Sequence, residues 1–194
     1  MIRKILLAAV ASMALAGVAN AATDGALSTS SSSGTFNVTA NIPTLVKVSG
    51  LTDQTINVTV ADLTSPYFST IDTVQKFCVY SNDGVAGDYS VSVSGTPGTV
   101  APYQLTGPNG PLGMYVWVSD DPNNVFVRSG GGYSFNGDVH TGYATTTGGG
   151  ARPTQLDCGG VADASLDVRL NVADVLAVTN GTYTGTLTVT VSPT

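Results

Sequence analysis

This sequence predicts an all-β sandwich, on three observations. Short runs alternate apolar and polar residues with period two and are rich in Thr and Val. Gly and Pro punctuate those runs at short intervals. No stretch holds a helical pattern beyond one turn, Val172–Leu176 (VADVL) being the nearest. Several short strands at this spacing pack as two sheets.

The chain opens on a basic Met1-Ile2-Arg3-Lys4, an apolar Ile5–Val18 and an Ala19-Asn20-Ala21 cleavage pattern. That order reads as a secretory signal peptide, residues 1–21, removed after export. The apolar run falls short of the ~20 residues a spanning helix needs. Removing 21 of 194 residues leaves 173, the size of one domain with an extension. Residues 22–34 (ATDGALSTSSSSG) are small and polar and read as a flexible segment. Residues 22–42 form the extension, and 43–194 the sandwich domain.

The first strand is Gly34–Pro43, GTFNVTANIP. Phe36, Val38, Ala40 and Ile42 share one face; Thr35, Asn37, Thr39 and Asn41 share the other. Leu45–Val48 and Thr55–Val60 follow, the latter with Ile56, Val58 and Val60 together. Val74–Tyr80 carries Cys78. Asp88–Ser94 alternates cleanly, with Tyr89, Val91 and Val93 in line. Met114–Val118 is almost wholly apolar, as in a strand covered on both faces. Val125-Phe126-Val127 is a short candidate partner for it. Leu166–Leu170 places Leu166, Val168 and Leu170 inward. The clearest run is Thr182–Val191, TYTGTLTVTV, with Tyr183, Leu187, Val189 and Val191 on one face and threonines on the other. Gly95–Gly113, Ser129–Gly137 and Thr145–Gly160 read as loops.

Composition excludes several functions. All 13 acids are Asp, and with Arg3 and Lys4 removed five basic residues face them. Phosphate-backbone binding needs clustered Lys and Arg, so nucleic acid is not an expected partner, nor is an anionic lipid surface. His140 is the sole His and reads as a solvated loop residue, and no G-x-S-x-G occurs, so no catalytic triad is expected. Asp120-Asp121-Pro122-Asn123-Asn124 lacks the spacing of a Ca²⁺ loop and reads as a turn; no metal or cofactor is expected. In an oxidising compartment Cys78 and Cys158 pair most simply as one disulfide, with two free thiols the alternative. Trp117, Tyr115 and Tyr103 are candidates for stacking on sugars.

Three stretches resemble pilins of the archaic chaperone–usher pathway, which share the spore-coat-U-type domain. These are Thr35–Pro43 (TFNVTANIP), Cys78-Val79-Tyr80-Ser81 followed by Tyr89–Ser94, and Gly181–Val191 (GTYTGTLTVTV). Gly110–Val118 is a looser match. The family places a Cys soon after its N-terminal strand; here Pro43-Thr44-Leu45-Val46 has none, and the second Cys is Cys158.

The resemblance implies an Ig-like β-sandwich that is incomplete and is completed by a donor strand. The donor residues would be Phe36, Val38, Ala40 and Ile42. Tyr183, Leu187, Val189 and Val191 would belong to the acceptor groove. The partners implied are neighbouring subunits, a periplasmic chaperone and an outer-membrane usher, and the destination is a cell-surface fimbria. Alternation alone favours Phe36–Ile42 as the first strand of a complete sandwich, as in a secreted carbohydrate-binding or tip-adhesin module; the resemblance turns the reading to donor exchange.

Overall fold

The computed structural model describes residues 23–65, 70–99, 101–123, 134–146 and 152–194. The expected signal peptide and the expected strand at 125–127 lie outside them. The chain divides into two units, Met1–Ile42 and Pro43–Thr194.

The second unit is an all-β sandwich of two antiparallel sheets. Its strands are β1 (Val46–Ser49), β2 (Thr70–Ser81), β3 (Asp88–Gly95), β4 (Tyr103–Gly107), β5 (Gly110–Ser119), β6 (Val139–Ala144), β7 (Ala164–Asn171) and β8 (Leu187–Ser192). The larger sheet has the order β1-β2-β7-β5-β4, the smaller β6-β3-β8. The core lies between them: Phe77, Val79, Val116, Val118, Ala164, Leu166 and Val168 from one sheet meet Tyr89, Val91, Val93 and Tyr143 from the other. Strand alternation produces this directly, since every second residue of β3, β5 and β7 turns inward.

Four expectations need correcting. Thr55–Val60 alternates like a strand but makes no ladder; Val60 instead opens a helix, α1 (Val60–Thr64). The local reason is a capping box: Thr59 accepts from Asp62 N–H, and Asp62 accepts from Thr59 N–H. The Thr59 hydroxyl holds the Asp62 carboxyl below its ordinary range. Gly95–Gly113 is not a loop throughout, for β4 and the start of β5 form a hairpin across Gly107-Pro108-Asn109-Gly110. His140 sits in β6 rather than in a loop, half-buried and edge-on to Tyr143 at 6.4 Å. Thr182–Val191 is not one strand: Thr184 bridges Thr106 of the larger sheet, whereas Leu187–Ser192 pairs with β3 in the smaller one. Gly185 permits the crossing, since a Cβ there would sit 2.8 Å from Leu105. The helical turn at Val172 runs to Ala177, as α2 (Val172–Ala177).

Gly107 marks a second close approach. The Tyr183 ring lies where a Gly107 side chain would stand, and its hydroxyl donates to Thr179 O at 2.8 Å. Gly107→Ala must push that ring away, and overpacking of this kind costs about 1–3 kcal/mol. Urea unfolding should show a lowered midpoint with an unchanged slope.

Cys78 and Cys158 are joined in a disulfide that closes 80 residues. Beside it, Asp163 accepts the Val79 N–H at 2.7 Å and lies 3.7 Å from the Cys158 sulfur. Burial raises the Asp163 carboxyl to about 6, against the pull of the Val79 N–H. The folded state therefore holds this proton more tightly than the unfolded state does. Its contribution to stability is complete below pH 3.8 and is lost as pH rises through about 6. Asp163→Asn should remove that dependence: the urea-midpoint difference between the two proteins changes across this window and is flat outside it.

Candidate functional site: an open groove between the sheets

A groove of about 1110 Å³ opens along one side of the sandwich. Its floor is the inward face of the larger sheet. Val168 stands opposite Val116, and Tyr115 opposite Arg169, so the next step brings Leu170 level with Met114. Leu112, paired with Leu105, lies beyond. Leu166, Val168, Leu170 with Met114, and Leu112 with Leu105 thus make four successive apolar rungs, all lining the groove.

One lip is formed by residues 181–187 and Val189. Among the described residues β8 pairs only with β3, so its other edge faces the groove with unmade ladder bonds. The inward residues Leu187, Val189 and Val191 are only half-buried, as expected of strand residues whose neighbour is missing. Residues 51–58 form the other lip. The chain leaves the larger sheet after the Ser49–Cys78 pair, at Gly50, whose φ of 81° suits glycine. From there to Thr59 it joins no ladder, although its sequence alternates from Thr55 onward.

A polar cluster interrupts the apolar lining. Gln75 Oε1 accepts from Thr52 Oγ1 (2.9 Å), Thr52 N (3.4 Å) and Gln54 Nε2 (2.5 Å). Gln75 Nε2 donates to Gly50 O (3.2 Å) and Lys76 O (2.5 Å), and Thr73 Oγ1 donates to Gln54 Oε1.

The sequence-derived candidates fall as follows. Tyr183, Leu187 and Val189 line the groove. Val191 lies outside its lining, paired with Val91. Cys78 and Cys158 are bonded to each other. In the first unit, Phe36, Val38 and Ile42 are 76, 80 and 81 % exposed, Ala40 is exposed, and none belongs to a strand. Thr35, just before them, exchanges two 2.9 Å backbone bonds with Thr23. Sequence reasoning missed the floor residues Leu105 and Leu112, which lay in an expected loop, and it read Met114 as a strand residue and Gln75 as part of the Cys78 strand without assigning either to a site.

The three aromatic candidates separate. Tyr103 is fully buried, and its hydroxyl donates to Val93 O at 3.0 Å, so it has no ring face to offer a sugar. Burial raises that hydroxyl to about 12. Tyr115 and Trp117 are half-buried with ring centres 6.4 Å apart. The Arg169 guanidinium covers the Trp117 ring at 4.5 Å and binds the buried Asp167 through Nε at 2.6 Å. Burial raises the Asp167 carboxyl, and Arg169 opposes the shift.

Asp120 and Asp121 sit at a turn: Asp121 accepts the Asn123 N–H at 2.8 Å, and Asp120 the Ala144 N–H at 3.1 Å. The acidic and thiol groups that crowd within ligand range of one another, Cys78, Cys158 and Asp163, have both sulfurs committed to the disulfide. Among the described residues no helix is long and apolar enough to cross a membrane. No protein-family model matches this chain, and no curated protein sequence matches it.

Proposed function

We propose that this protein is the structural subunit of a cell-surface pilus, exported through the periplasm and joined head to tail by donor-strand exchange. The observation that carries the reading is the open apolar groove, bordered on one side by β8, which has a strand neighbour on its other edge alone among the described residues, and on the other by residues 51–58, which join no strand. The chain itself supplies an occupant that fits. Phe36, Val38, Ala40 and Ile42 stand at every second residue, about 7 Å apart along a strand, and the floor presents four rungs at the same repeat. A strand laid there would bond to β8 on one side and to residues 51–58 on the other, burying its apolar face.

A contact in which one copy's extension enters the next copy's groove does not close on itself, so it generates a filament. Before assembly an empty groove is an aggregation hazard. A periplasmic chaperone that covers it and an outer-membrane usher that exchanges it follow from that hazard and from the resemblance. The protein acts as a building block for surface attachment, not as an enzyme. A carbohydrate-binding module is the second reading, favoured only by the Tyr115–Trp117 pair on the outer sheet face. It requires Trp117 fluorescence to respond to sugar.

The test is an unboiled denaturing gel of the mature protein beside a form lacking residues 22–42. A heat-sensitive ladder from the full chain alone supports exchange between subunits. A single monomer band from the full chain, with an unstable truncated form, would mean that Phe36–Ile42 fills its own core.

A further inference from the structure

Gln75 occupies an inward position on β2, in a row with Ile71, Thr73, Phe77 and Val79, and it is the buried polar member of that row. It is 7 % exposed and lines the groove. Its partners are of a particular kind. Thr52 N–H and Gly50 C=O are backbone groups of the stretch that leaves the ladder after Ser49, and Lys76 C=O is the β2 group that a continued ladder would have paired with Leu51. The carboxamide, a donor and an acceptor on one planar group, tethers the departing stretch to β2 where the ladder has stopped. Thr52 Oγ1 and Gln54 Nε2 fasten the same stretch.

We infer that Gln75 is a positioning residue for the occupant of the groove: it holds residues 50–54 as a ready edge for the incoming strand. The inference rests on the groove being the acceptor of a second copy's residues 34–43. An edge already in place spares the occupant the entropy of ordering it, so the gain falls on the association step. An apolar residue of the same size would suit the core better, but it would leave the lip unheld. This explains why a polar side chain occupies the position.

The experiment uses a full-length acceptor whose own donor is disabled by Phe36→Asp and Val38→Asp. A fluorescently labelled peptide of residues 34–43 is the probe, read by anisotropy. Gln75→Leu should slow peptide association about tenfold, the weight of one or two lost hydrogen bonds. Exchange of the Thr52 amide should quicken, with that of β3 unchanged. Tyr143→Phe, which removes the buried bond to Val118 O, is the control: it lowers stability without slowing association. Should Gln75→Leu fail to fold, Thr52→Val with Gln54→Ala loosens the same cluster from the lip side and should slow association likewise. Association as fast in these variants as in the parent would overturn the inference while leaving the groove's role intact. A parent acceptor that does not bind the peptide would overturn both.

Discussion

Deletion of Thr39 alone should leave the protein monomeric. Side chains alternate with a period of two, so losing one residue reverses every face beyond the gap. Phe36 and Val38 would still point into a neighbour's groove, but Asn41 would follow them, with Ile42 turned to solvent. Losing the burial of Ile42 costs about 1.5–3 kcal/mol, and burying an unpaired amide costs about 1–3 kcal/mol more. Together these weaken each joint by about two to four powers of ten. Deleting Thr39 and Ala40 together restores the alternation and shortens the donor by two residues, of which only the small Ala40 faced inward, so it should polymerise far better than the single deletion. Sedimentation of the two variants beside the parent decides the matter: equal polymer from both deletions would mean that face and register play no part.

The second large effect concerns the disulfide. Cross-linking residues 80 apart removes about 4 kcal/mol of chain entropy from the unfolded state. For a domain of this length each kcal/mol moves the melting temperature by about 2–4 °C, so Cys78→Ala with Cys158→Ala should melt about 8–16 °C lower. Cys158 adds a detail. Its φ of 54° is the left-handed value that favours glycine, and it is the one non-glycine residue so placed among the described residues. Holding a side chain there costs about 1–3 kcal/mol. Cys78→Ala with Cys158→Gly should therefore recover part of the loss, and a thermal melt of the two double variants measures how much.

The strands most legible in the sequence were those with a partner on each side or a cleanly divided pair of faces. β3 and β7 lie at or within a residue or two of the expected runs. β4 and β6 escaped detection because glycines break their patterns: β6 carries Gly142 at a φ of 77° and pairs with β3 through a bulge. Residues 55–60 misled for the opposite reason. Their alternation is real, but a strand also needs a neighbour, and the described chain provides none. Period two placed Tyr183, Leu187 and Val189 on one face, and the resemblance alone marked that face as part of a groove. Of its floor, Leu166, Val168 and Leu170 were legible as inward residues, whereas Leu105 and Leu112 belong to a hairpin hidden by Gly107-Pro108-Asn109-Gly110. Gln75 gave no sign of its place, because only the fold shows that a polar side chain in VQKFC points inward.

One turn of the sandwich holds both of its ends. Asn82 binds Pro43 O and Leu45 N–H, and the adjacent Asp83 binds Thr194 N–H and its hydroxyl. Tension drawn through the residues before Pro43 therefore enters the domain at Asn82. It then passes into β1, whose four residues lie antiparallel against Cys78–Ser81. Pulled along its axis, that ladder is loaded in shear, so its bonds must fail together rather than one after another. Cys78, at the far end of the ladder, anchors the same stretch to Cys158 by a covalent bond. A load applied from that end would meet a sheared ladder first and a disulfide behind it.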